Sequence, residues 1–159
     1  MEQRTLVKWL KILVLFAAVC GLGLTGGVLP LAGQWLVESY PEFSYCFWPW
    51  LIFLWVLSIP CFWALYLAWK IFGNIEKDHA FTTENAEYMG RISFLAVADA
   101  VVLLVGNVLF LLIGMNHPGI LLLCFVVTLI GIGFSVAAAA LSHLIRKAAD
   151  LQDQSDWTI

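Results

Sequence analysis

Charge is scarce in this chain. Only 12% of its 159 residues are Asp, Glu, Lys or Arg, and 62% are hydrophobic. A soluble domain carries about 25% charged and about 45–50% apolar residues. The deficit excludes an ordinary water-soluble globule and leaves no room for a separate soluble domain. A mean hydropathy of +0.92 agrees. The net charge is only −3. No basic face exists for direct nucleic-acid binding.

Reactive groups are equally thin. There are four cysteines and no Cys-x-x-Cys. Cys20, Cys61 and Cys124 fall in apolar runs, and Cys46 alone lies near a loop. A membrane thiol oxidoreductase exchanges disulfides through cysteine pairs. These four read instead as small packing residues. Asp78, His79, Asp150, Asp153 and Asp156 match no metal-ligand spacing. Phosphate loops, Gly-x-Ser-x-Gly and paired histidines are missing. The expectation is a non-enzyme with no metal and no cofactor.

What the chain has is apolar length. Four runs, roughly residues 12–31, 43–69, 92–115 and 120–145, are each long enough for a bilayer core. Such a core needs about 20 residues at about 1.5 Å each. The first exceeds a signal-peptide core and ends in no Ala-x-Ala site, so it is read as a retained helix. The fold class is therefore all-α, an integral membrane four-helix bundle in one domain. Its spans are expected at about 10–31, 47–71, 92–114 and 120–145. A loop at 73–91 and a tail at 146–159 remain.

Orientation follows from Lys and Arg. Arg4, Lys8, Lys11, Lys70, Lys77, Arg91, Arg146 and Lys147 all fall on one side of a four-span arrangement. Both termini and the loop 73–91 are expected in the cytoplasm of a bacterial cell, with a multi-pass chain in the cytoplasmic membrane. Trp35, Tyr40, Tyr45, Trp48 and Trp50 gather at the other edge, where amphipathic rings favour the interface. An aromatic ligand cage there is the alternative use of those rings.

Small residues suggest packing, because close backbone approach drives association in lipid. Ala17, Gly21 and Thr25 form one stripe. Gly131, Ser135 and Ala139, joined by Ala138 and Ser142, form another. The first span is expected to pack on the fourth along them, with a homo-oligomer contact as the rival use. Pro60 is expected to disturb the second span, with Ser58 satisfying a freed group. Asn116-His117-Pro118-Gly119 is a turn that makes spans three and four a hairpin.

Asp99 is the acid inside a span. A charge there costs several kcal/mol unless paired or hydrated. It lies about 12 Å beyond Arg91 at about 1.5 Å per residue. The same depth in the fourth span reaches Ser135, the expected hydrogen-bond partner. A structural carboxyl and a proton or cation site both remain open. Asn107 is expected to hydrogen-bond between helices. His143 is a candidate pH-sensing group near the end of the fourth span.

In the loop, Gly73 is placed for a left-handed cap and Thr82 for an N-cap, with Glu84 in the first turn after it. A helix over 83–90 should lead into the third span. The tail should continue the fourth.

These two segments carry a resemblance. Gly73-Asn74-Ile75-Glu76-Lys77, then Ala80-Phe81-Thr82 and Glu84-Asn85-Ala86, resemble the signature of a bacterial membrane family catalogued as domain of unknown function 2975. Leu141-Ser142-His143-Leu144, then Leu151-Gln152 and Asp156-Trp157-Thr158-Ile159, resemble its carboxyl end. The resemblance implies a four-helix membrane protein, often encoded beside a small helix-turn-helix regulator, with no catalytic residues to transfer. The function expected is a sensor or regulatory protein that binds a partner through its cytoplasmic face. The candidate surface is Asn74, Glu76, Phe81, Thr82, Glu84, Asn85, Leu151, Gln152, Asp156, Trp157 and Ile159. The alternative is a small oligomeric transporter or channel working through Asp99, with Ser135 and Asn107 nearby.

Overall fold

A computed structural model of the chain describes residues 3–156. Trp157 and Ile159, and the side chain of Asp156, lie outside what it describes. The chain is all-α among the described residues. Helix α1 is Gln3–Gly23, α2 is Leu29–Ser39, α3 is Phe47–Glu76, α4 is Thr83–Leu112 and α5 is Pro118–Asp156. A π-turn, Leu24–Val28, joins α1 to α2 in one rod. A 3₁₀ turn, Pro41–Cys46, leads into α3. Four rods, Arg4–Ser39, Pro41–Glu76, Thr83–Leu112 and Pro118–Gln152, are long and apolar enough to span a membrane.

The helices run further than the apolar runs. The first rod extends to Ser39, and α3 continues through Gly73 to Glu76. Gly73 is thus not a left-handed cap. In this turn the left-handed residue is Asp78, with φ of 62°. Hydropathy marks where lipid begins, whereas a helix stops where its last carbonyls find other donors. Here Lys77 and His79 N–H both donate to the Asn74 carbonyl at 3.0 Å.

Pro30 explains the π-turn. Leu29 N–H donates to the Leu24 carbonyl, five residues back. The next donor in that pattern would be residue 30, and proline has no N–H. The Thr25 carbonyl is left open in a region without water. Trp55 of α3 fills the vacancy, its Nε1 donating to Thr25 O at 2.9 Å. Trp55→Phe is expected to cost about 1 kcal/mol by orphaning that carbonyl. Pro30→Ala restores a backbone donor and should recover most of the loss. A double-mutant cycle by reversible unfolding in mixed micelles measures this; strictly additive effects would refute the account.

At Pro60, α3 stays helical. Ser58 Oγ donates to the Trp55 carbonyl at 2.6 Å, one residue away from the Val56 carbonyl that the proline leaves without its i+4 donor.

The rods pack in chain order. The first rod touches α3, α3 touches α4, and α4 and α5 share the most extensive interface. Among the described residues α1 makes no backbone approach to α5, which corrects the expected pairing of the first and fourth spans. The fourth-span stripe was legible, but its partner is α4. Buried Ala86, Ser93, Ala100 and Asn107 recur every seven residues along α4. Such a spacing keeps one seam facing a neighbour. Gly131 of α5 meets this seam: a Cβ on it would lie 3.3 Å from that of Ala100. Ser142 Oγ donates to the Ala86 carbonyl at 2.6 Å. The hairpin turn directs the pairing. Asn116 Oδ1 accepts from His117 N–H at 2.8 Å, and Pro118 opens α5 at a position where no N–H is missed. The α1 stripe faces α3 instead, where Gly21 admits the Phe62 ring.

Candidate functional site

Asp99 lies on α4 but off the Ala86–Asn107 seam, about 100° round the helix from Ala100. That angle decides its neighbour. Ser135 does not reach it. Ser135 pairs with Ser93: each hydroxyl donates to the other's carbonyl at 2.8 Å, with the two oxygens 3.1 Å apart. Ser93 lies six residues before Asp99 on α4, about 9 Å at about 1.5 Å per residue, so the depth expected for Ser135 was wrong as well as the helix face. Asp99 turns instead toward α3, where Cys61 Sγ donates to its Oδ2 at 3.7 Å. Nothing in the sequence tied Cys61 to Asp99, since the register of α3 against α4 depends on packing. Both residues line a groove of about 220 Å³ between α3, α4 and α5. Its other walls are apolar, including Pro60, Leu103 and Phe134. The carboxyl is half-buried and open to this groove.

Asn107 is fully buried. Its amide donates to the Leu103 carbonyl at 2.9 Å, and its Oδ1 accepts from Asn116 at 3.0 Å. It therefore ties the α4–α5 turn to the end of α4.

The second candidate is the α3–α4 turn, at the end where the basic residues gather. Asn85 is fully buried at its centre. Its amide nitrogen donates to the carbonyls of His79 and Ala80, at 2.9 and 3.0 Å. Its Oδ1 accepts from Asn74 Nδ2 at 2.8 Å. Thr82 caps α4, its hydroxyl accepting from Asn85 N–H at 3.3 Å as its position predicts. Glu84 accepts from Asn74 at 3.2 Å and from the Tyr88 hydroxyl. Lys70 sits over the rings of Tyr66 and Tyr88, 5.2 and 5.4 Å from their centroids. Glu76 forms an ion pair with Lys11, which also lies 5.6 Å from the centroid of the Trp69 ring and so fixes α1 to α3.

Five of the expected surface residues, Asn74, Glu76, Thr82, Glu84 and Asn85, are therefore committed within the molecule. Phe81 is 57% exposed in the same turn, and Leu151 is 59% exposed on the far turns of α5. Gln152 is exposed beside it. The sequence pattern missed Tyr88 and Ser93, because cation–ring and hydroxyl–carbonyl pairs between helices have no fixed spacing; Lys70 over Tyr66 is an i,i+4 pair within α3 that the spacing could have flagged. No group of three or more His, Cys, Asp or Glu is placed to hold a metal among the described residues.

The family described as "Protein of unknown function (DUF2975)" matches residues 31–159. The chain belongs to this family. The chain is 28% identical over 153 residues to "Uncharacterized membrane protein YoaS" of Bacillus subtilis strain 168, covering 95% of this chain and 96% of the relative. No solved structure matches. The matched residues include the hydrogen-bonded turn between α3 and α4. A multi-pass membrane protein is what the four apolar rods and the relative's description jointly support.

Proposed function

We propose that this DUF2975 protein is a non-enzymatic regulatory component of the bacterial cytoplasmic membrane. Both termini and the α3–α4 turn lie in the cytoplasm, and that face docks a small helix-turn-helix regulator. The orientation is supported by the eight Lys and Arg residues, which fall toward one end of the rods. The observation that carries the reading is Phe81. A turn in which Asn74, Glu84 and Asn85 are hydrogen-bonded together holds an aromatic ring 57% exposed. Rigid presentation of an exposed anchor is what a docking surface requires.

A photo-crosslinking residue at position 81, activated in intact cells, tests this. The expected product is one crosslinked species containing a DNA-binding regulator, lost when residues 150–159 are removed. Products confined to lipid, or to other copies of the chain, refute it.

A second reading has its own support. Asp99 faces a groove and has a thiol as its hydrogen-bond partner, so a small cation or proton has access to its carboxyl. Flux in proteoliposomes, compared with Asp99→Asn, tests a transport role; equal flux in the two proteins removes it.

A further inference from the structure

At the end opposite the α3–α4 turn lies a larger cavity. Helix α2, the Pro41–Cys46 turn, α3 and the α4–α5 turn border an open-sided space of about 500 Å³. Small-molecule sites occupy about 300–1,000 Å³. Four aromatic residues stand in its wall: Tyr40, Phe43, Phe47 and Trp50. Gly33 makes room for one of them, since a Cβ there would lie 2.6 Å from the Phe47 ring. The ring of Trp50 is fixed. Its Nε1 donates to the Met115 carbonyl at 2.8 Å, and it packs on Phe110 with centroids 4.9 Å apart. With its N–H spent, Trp50 offers the cavity ring surface.

Charge at this end has one sign. Residues 12–69 and 92–145 contain no Lys or Arg. Glu38 and Glu42 are both exposed and bracket Tyr40 in the chain. His117, also in the wall, accepts from Gly119 N–H through Nδ1 at 3.1 Å, which puts the proton of its neutral ring on Nε2. Neither acid lines the cavity, but both sit on segments that do, α2 and the Pro41–Cys46 turn, so an anion approaching this end finds negative charge and no Lys or Arg. A hydrophobic cation meets the reverse. Ring faces attract it, the negative charge of this end favours its approach, and the apolar wall takes its substituents.

We infer that this cavity is a binding site for lipophilic organic cations of the quaternary ammonium or phosphonium class. The site stands apart from the Asp99 groove and does not depend on the cytoplasmic partner.

Equilibrium binding of tetraphenylphosphonium to the full chain in nanodiscs of zwitterionic lipid tests it, with empty discs subtracted. Tetraphenylborate is the control, alike in size and shape and opposite in charge. Saturable binding of the cation and none of the anion is expected. Glu38→Gln with Glu42→Gln should weaken the cation by about three- to tenfold. Ala32→Trp, which fills the cavity, should abolish binding, and Asp99→Asn should leave it unchanged. If Ala32→Trp fails to fold, the two surface Gln substitutions still decide the matter. Saturable binding of the borate, unchanged affinity in the Gln variant, or loss in Asp99→Asn would each overturn the assignment.

Discussion

Asn85→Ala should destabilise the protein by about 2–4 kcal/mol, with the damage centred on the α3–α4 turn. The residue is fully buried and makes three side-chain hydrogen bonds. Each is worth about 1 kcal/mol net, and the carbonyls of His79 and Ala80 lose this partner when it is cut away. Asn85→Asp should be worse, because a carboxylate cannot donate to either carbonyl and brings a charge into a buried site. Unfolding in mixed micelles gives the global cost. Limited proteolysis gives the local one, with new cleavage expected near Asp78. A loss under about 0.5 kcal/mol would mean that water replaces the amide and that the turn is not built around it.

Gly106→Ala should cost about 1–3 kcal/mol, an overpacking effect. A Cβ at this position would fall 2.4 Å from the Phe53 ring. An isolated ring would swing away at little cost. Phe53 is held by Trp50 at 6.1 Å and Phe110 at 5.3 Å between centroids, both edge-on, so relief requires the whole cluster to shift. The thermal midpoint of the purified protein should drop. Gly106→Ala with Phe53→Leu should recover part of the loss, because the smaller side chain vacates the space. An unchanged midpoint in the single variant would show the cluster to be loose.

The two sites differ in how they could be read from the chain. Thr82 announced its cap, because an N-cap is a local device: a hydroxyl accepting from an N–H three residues ahead. The α4–α5 hairpin was legible for a related reason, since a turn as short as Asn116–Gly119 forces neighbours to pair. Asn85 and Glu84 were noticed, but as outward-facing residues. Their partners, Asn74 and the carbonyls of His79 and Ala80, come within reach only once the turn closes. Ser135 shows the limit most sharply. Counting residues put it level with Asp99, yet it pairs with Ser93, about 9 Å nearer the start of α4, because the offset between two helices is set by packing, as is the rotation about α4. A step of about 100° separates Ala100 in the seam from Asp99 in the groove.

By itself, the chain determined how many times it crosses lipid, because a hydrocarbon core accepts only uncharged helical stretches of a set length. It also determined that basic residues collect at one end of those crossings. Only the tertiary structure decided which rods touch and which side chains meet. The small-residue stripes are chemically alike, and the bilayer provides no hydrophobic drive to choose between them. The choice falls to backbone fit, in which Gly131 nests against Ala100, Ser93 clasps Ser135 and the Trp55 indole closes the gap left by Pro30.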